Sequence, residues 1–220
     1  MTIQVIVFDA DGVVQHTHFD WRERLGSLIG GDVADAFADA IFAAEKPALT
    51  GEAEFRDTLG DILTQWRISQ STDDVLAIWN DISPDQAALA LVDELRGRGL
   101  RVCLATNQQR QRGEYMDRAL GYRTRFNQSF YSYQVGSRKP DRAFFEHMLQ
   151  SLGCAPDEIL FIDDSAGNVA AAQAVGMRAA RYDTSADPVS GLRELVLRQS
   201  LQPVESLQPV ESLQPVESLQ

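Results

Sequence analysis

The sequence predicts an α/β protein: a doubly wound, Rossmann-like parallel sheet with an all-helical cap inserted after its first strand. Three observations carry this. Short runs rich in apolar and β-branched residues at Ile3–Phe8, Arg101–Ala105 and Ile159–Ile162 read as strands buried on both faces. From Pro84 onward, segments of helical periodicity alternate with these strands, the pattern of a parallel sheet with helices on both sides. Between Phe19 and Ser83 only helical patterns occur, so the chain leaves the sheet, builds a separate layer and returns.

Each element has a local reason. The first strand ends abruptly in Asp9 and Asp11, and Gly12 lets the chain turn away. A polar exit, Gln15 to Asp20, follows. Asp20 is placed to cap a helix through Trp21, Leu25 and Leu28, and Asp32 to cap another carrying Val33, Phe37 and Ile41. Glu52 to Ile68 holds Phe55, Leu59, Ile62, Leu63 and Trp66 at helical spacing, and Thr72-Asp73-Asp74 opens a shorter helix through Val75, Ile78 and Trp79. The aromatics of this region read mainly as the cap's own core.

A helix from Pro84 to Arg98 begins the second half, with proline at its start. The strand Arg101–Ala105 then leads to Thr106-Asn107, a polar helix over Gln109–Leu120 and a weaker strand over Gln128–Tyr133. The turn Gly136 to Asp141 enters a helix holding Phe144, Phe145, Met148 and Leu152. The next strand ends in Asp163-Asp164-Ser165, an Ala-rich helix runs from Asn168 to Val175, and Ala179–Tyr182 is the last strand. From Ser200 the unit Ser-Leu-Gln-Pro-Val-Glu repeats three times and begins again. A proline in every unit excludes helix, so residues 200–220 read as a solvated extended tail. The expected organisation is a core of residues 1–15 and 84–199, a cap of 16–83, and the tail.

At 220 residues and 44% hydrophobic content, the chain can bury a sizeable core. Its formal net charge of −12 disfavours nucleic acid and anionic membrane surfaces, both of which need a positive footprint. Cys103 and Cys154 show neither paired nor metal-ligand spacing, and Cys103 reads as a buried free thiol. With no signal-peptide pattern and no run of membrane-spanning length, a cytoplasmic location is expected.

Polar groups stand at or just beyond the ends of the core strands, where open α/β sheets bind ligands. Asp9 and Asp11 share a face at strand spacing, and burying two unpaired acids is costly without a function. A hydroxyl at Thr106, beside backbone N–H groups at a strand-to-helix turn, can hold a phosphoryl oxygen. Lys139, in Ser137-Arg138-Lys139-Pro140-Asp141, can offset repulsion among clustered acids, with Arg138 as its rival for an anion. Asp163-Asp164 suit a hard cation such as Mg²⁺.

Together, Asp9-Ala10-Asp11-Gly12, Thr106-Asn107, Lys139-Pro140 and Asp163-Asp164 resemble, in order, the four motifs of the haloacid dehalogenase-like superfamily. The resemblance implies that Asp9 is the nucleophile, Asp11 the general acid/base, Thr106 and Asn107 phosphate-binding, and Lys139 catalytic and phosphate-holding. It assigns Mg²⁺ to Asp9, the backbone carbonyl of Asp11, and Asp164, with Asp163 assisting. Asn168 stands where the family often places another acid, and is expected to orient the site rather than bind metal.

Dehalogenases proper lack the second aspartate of the first motif. Asp11 therefore places the resemblance in the phosphatase branch, acting on a small phosphorylated metabolite, with sugar phosphates favoured. His-Phe-Asp at residues 18–20 and Arg-Lys-Pro-Asp at 138–141 look most like the glucose-1-phosphate phosphatase group. Substrate choice is expected from the cap, with His16, His18, Glu45 and Lys46 as candidates. A phosphomutase would use the same core. A non-catalytic protein working through its repeat tail is the alternative of a different class.

Overall fold

The computed structural model describes residues 2–183 and 188–201. In chain order its strands are β1 (Val5–Phe8), β2 (Gln15–His16), β3 (Ser83–Pro84), β4 (Arg101–Thr106), β5 (Gln128–Tyr131), β6 (Ile159–Asp163) and β7 (Arg178–Arg181). Five of them form a parallel sheet in the order β5–β4–β1–β6–β7. The helices are α1 (Trp21–Gly26), α2 (Ala34–Glu45), α3 (Phe55–Gln65) and α4 (Thr72–Leu76) in the insertion. After it come α5 (Gln86–Gly97), α6 (Arg110–Arg118), α7 (Tyr122–Arg125), α8 (Ser132–Val135), α9 (Arg142–Leu152), α10 (Ala166–Ala174) and α11 (Pro188–Leu201). No helix among the described residues is long and apolar enough to cross a membrane.

The strand alternation builds two layers of core. Val5 and Val7 pack with Cys103, Phe161 and the α9 residues Phe144, Phe145 and Met148. Ile6 and Phe8 face the other way, against Leu91 and Val92 of α5 and Leu192 and Val196 of α11. Each such side chain contributes about 1.5–3 kcal/mol by leaving water. Because β1 lies between β4 and β6, Phe8 pairs with both Leu104 and Ile162. That register brings the carboxyl ends of all three strands to one place.

The insertion has a core of its own: Leu25, Phe37, Ile41, Phe55, Leu59, Leu63 and Trp79 cluster there, with Trp21, Phe42 and Trp66 packed against them. Asp20 caps α1, accepting from the backbone of Glu23, and Ser71 caps α4. Asp32 does not cap α2. It lies inside a 3₁₀ turn, Gly31–Val33, and α2 begins only at Ala34, which leaves Val33 46% exposed rather than in the core.

Pro84 also departs from expectation. It belongs to β3, which pairs antiparallel with β2 where the chain enters and leaves the insertion. Helix α5 starts two residues later because Asp85 accepts from the backbone of Ala87 and Ala88, both at 2.9 Å. The strand expected over Gln128–Tyr133 ends at Tyr131 and gives way to α8. The first two residues of the expected tail, Ser200 and Leu201, end α11 instead, and the rest, 202–220, lies outside the described residues.

Candidate active site

The register of the central strands sets Asp9 beside Asp163 and level with Ala105, the residue before Thr106. Asp9 Oδ1 accepts from its neighbour Ala10 N at 2.6 Å and from Lys139 Nζ at 2.8 Å. The same ammonium donates to Asp163 Oδ2 at 2.7 Å and to the Ala105 carbonyl at 2.8 Å, so its three protons all have partners. The Lys139 side chain is 1% exposed, whereas Arg138 is exposed, which settles which of the two enters the site. Asn107 fixes the lysine from behind: its amide donates to the Lys139 carbonyl and accepts from the Lys139 N–H, each at 2.8 Å. Its side chain thus holds the turn that carries the lysine, while Asn107 also lines the space beside Asp9 and Thr106.

Asp163 is wholly buried, and its two oxygens take four hydrogen bonds. Lys139 and Asn168 donate to Oδ2, and Ser165 N and Asn168 donate to Oδ1. Asn168 thus orients an acid, as expected of an amide at that position. Asp164 is the accessible partner. Its neighbour Gly12 has φ +77°, and a Cβ there would lie 2.5 Å from Asp164 Oδ2. Only glycine permits both the turn and the approach.

Burial pushes Asp9 up to about 8, with Asp163 and Asp11 adding to the rise against the pull of Lys139. Burial and Asp163 raise Asp164 as well, while Lys139 is raised by the two acids despite its burial. One carboxylate oxygen from each of Asp9, Asp163 and Asp164 lies within 4.8 Å of the others. Among the described residues, the side-chain cations paired with the acids of the site are Lys139, on Asp9 and Asp163, and Arg112, on Asp11. The all-oxygen donor set of Asp9, Asp163 and Asp164 fits a hard divalent cation.

Arg112 was not anticipated. Its guanidinium grips Asp11 with two hydrogen bonds, of 2.7 and 2.8 Å, and also donates to Gln108 Oε1 and to the Trp79 carbonyl of the insertion. Gln108 and Gln15 add amide donors to Asp11 at 2.7 and 3.0 Å. Desolvation opposes the charged form of Asp11, yet Arg112 and these amides hold it below the usual carboxylate range. A signal existed in the sequence: Arg112 lies on the same side of α6 as the buried Gly113 and Met116, so a charged residue occupies its buried stripe.

Two connected spaces share Asp11, Gly12 and Asn107. The smaller, about 240 Å³, is bounded by Asp9, Asp11, Thr106, Lys139, Asp164 and Asn168. The larger, about 440 Å³, opens under the insertion and is walled by His16, Trp21, Phe42, Glu45, Trp79 and Arg112. Among the residues expected to choose substrate, His16 and Glu45 therefore reach the cavity. His18 and Lys46 are exposed and line neither space. Trp21, Phe42 and Trp79 serve twice, as part of the insertion's core and as cavity wall.

The fold and the acid pair define a hydrolase in which a carboxylate at the end of a central strand borders a small space. The chain belongs to the haloacid dehalogenase-like hydrolases, whose family pattern matches residues 3–176. It is 27% identical over 210 residues to a phosphoglycolate phosphatase of Rhodospirillum rubrum, spanning 88% of this chain and 86% of that one. It is 25% identical over 197 residues to a D-ribitol-5-phosphate phosphatase of Bacteroides thetaiotaomicron, spanning 84% and 94%. A sesquiterpene phosphatase of Aspergillus oryzae is 36% identical over 116 residues, but the match spans only 52% of this chain and 59% of that protein. Among solved structures, a HAD family enzyme of Bacteroides thetaiotaomicron in complex with magnesium and inorganic phosphate superposes with a TM-score of 0.70 at 25% identity, over 84% of this chain and 96% of that one.

Proposed function

We propose that this protein is a Mg²⁺-dependent phosphomonoesterase of small phosphorylated metabolites, sugar and polyol phosphates foremost, working through an aspartyl-phosphate on Asp9. The carrying observation is that Asp9 and Asp11 border one small space with Lys139 between Asp9 and Asp163. Asp9 attacks phosphorus, the P–O bond to the leaving group breaks, and Asp11 gives that oxygen a proton. Asp11 then takes a proton from water, which attacks the phosphorus of the aspartyl-phosphate and frees Asp9. The Arg112 grip favours the carboxylate form of Asp11, the form this second step needs. Thr106, whose hydroxyl accepts from Gln108 at 2.9 Å, is placed to bind a phosphoryl oxygen through its own proton.

Asp9 and Asp164, with the Asp11 carbonyl, would hold the metal. Asp163 is better suited to position Lys139, because its oxygens are already filled by four donors. When bound, Mg²⁺ supplies neutralisation of the phosphoryl charge. The phosphoglycolate and ribitol-5-phosphate enzymes among the relatives support a small metabolite as substrate. The Arg-Lys-Pro-Asp turn at residues 138–141 adds glucose 1-phosphate to the candidates. A phosphate-release screen over phosphorylated metabolites with Mg²⁺ tests the reading. Wild type should release phosphate and Asp9→Asn, folded, should not; retention of full activity in Asp9→Asn would refute it.

A further inference from the structure

Building on the phosphomonoesterase reading, we infer that Glu45 selects neutral, hydroxyl-bearing leaving groups and that the larger cavity rejects phosphorylated carboxylates. Glu45 ends α2 and lines that cavity, and its Oε1 accepts from Trp79 Nε1 at 2.7 Å. Among the described residues its carboxyl has no second hydrogen-bond partner, so Oε2 is available to a ligand. Burial raises Glu45 to about 7, against the pull of Trp79 and Arg112. Whether ionised or protonated, a carboxyl so placed can accept from or donate to an alcohol.

The cations of this wall are already engaged. Arg112 spends its donors on both Asp11 oxygens, Gln108 and the Trp79 carbonyl, with its side chain 7% exposed. His16 faces Asp85 at 3.4 Å. A second carboxylate entering with the phosphate would lose its hydration and meet Glu45 and Asp11 with no uncommitted cation among the described wall residues. A polyol avoids that cost. Its hydroxyls can bond Glu45 while its C–H faces rest on Trp21 and Trp79, whose rings lie 5.2 Å apart. A purely apolar chain would bury the Glu45 carboxyl without a new partner, which is also unfavourable.

The test is steady-state phosphate release with Mg²⁺ from D-ribitol 5-phosphate, phosphoglycolate, pentyl phosphate and p-nitrophenyl phosphate, by wild type, Glu45→Gln and Glu45→Leu. Wild-type kcat/KM should favour ribitol 5-phosphate over both phosphoglycolate and pentyl phosphate by about tenfold or more. Glu45→Leu should lower kcat/KM for ribitol 5-phosphate about tenfold more than for p-nitrophenyl phosphate, mainly through KM, and Glu45→Gln, which can still hydrogen bond, should restore part of the difference. Phosphoglycolate turned over as well as the polyol phosphate would overturn the inference, as would an equal loss on all substrates in Glu45→Leu. No release from any of the four would instead overturn the phosphatase reading beneath it.

Discussion

Replacing Lys139 by methionine removes one charge and little volume, so its effect reports almost purely on electrostatics. The ammonium lies 2.8 Å from Asp9 and 2.7 Å from Asp163, whose side chains are 10% and 0% exposed. Without it two buried carboxylates face each other uncompensated, a loss of about 3–5 kcal/mol. For a domain of this size each kcal/mol moves Tm by about 2–4 °C, so Lys139→Met should melt roughly 6–20 °C below wild type at pH 7.5 in EDTA. Asp9, already raised to about 8 with the lysine in place, would be pushed further up. A carboxyl raised in this way favours folding at low pH and loses that support as pH rises, so the deficit should narrow toward pH 5. Adding Asp163→Asn should recover part of the Tm, because one uncompensated charge is gone. Thermal unfolding at the two pH values, with phosphate release measured alongside, reads all of this. A Tm within about 2 °C of wild type at pH 7.5, or a deficit independent of pH, would show that Lys139 is not the charge keystone of the acid cluster.

Other outcomes follow from the same geometry. Arg112→Met removes the cation that favours the Asp11 carboxylate, so the water-activating second step, common to all substrates, should slow: turnover of alkyl phosphates and of p-nitrophenyl phosphate should fall together, and the loss should narrow as pH rises and Asp11 ionises again; a loss independent of pH would argue that Arg112 only supports the fold. Gly12→Ala forces a side chain into the left-handed region and against Asp164, and Mg²⁺ titration of activity should show a markedly higher requirement than wild type. Glu45 is raised from 4.5 to about 7, so wild-type stability should decline by on the order of 3 kcal/mol as pH climbs through that window. Denaturant melts of Glu45→Gln across the same range should be flatter, and an unchanged slope would show that another group is responsible.

Most of the sheet could be read directly, because strands buried on both faces leave no ambiguity of period: Ile6 and Phe8 belong to one layer, Val5 and Val7 to the other. The acid ladder was legible for the same reason, since a charge directly after such a strand has no packing role. What escaped were features that local patterns do not encode. Pro84 suited a helix start, but the partner that draws it into a strand is Gln15, far away in sequence. That the Asn107 side chain embraces the backbone of Lys139 is likewise visible only in the fold. Arg112 was hidden in a helix described simply as polar. His18 and Lys46 show the opposite failure: proximity in sequence to the cavity did not carry them into it.

The short pairing of Gln15 with Pro84 and of His16 with Ser83 has a consequence for the history of such a chain. Partnered strand positions lie only about 5 Å apart, so from the sheet's side the whole excursion through residues 17–82 closes like a tight hairpin. The excursion carries its own hydrophobic cluster, so its interior can vary in length or be exchanged for another without repacking β1 or β4. Selection could therefore rewrite the roof over the acids, and with it the diet of the enzyme, while the phosphate chemistry below stayed untouched.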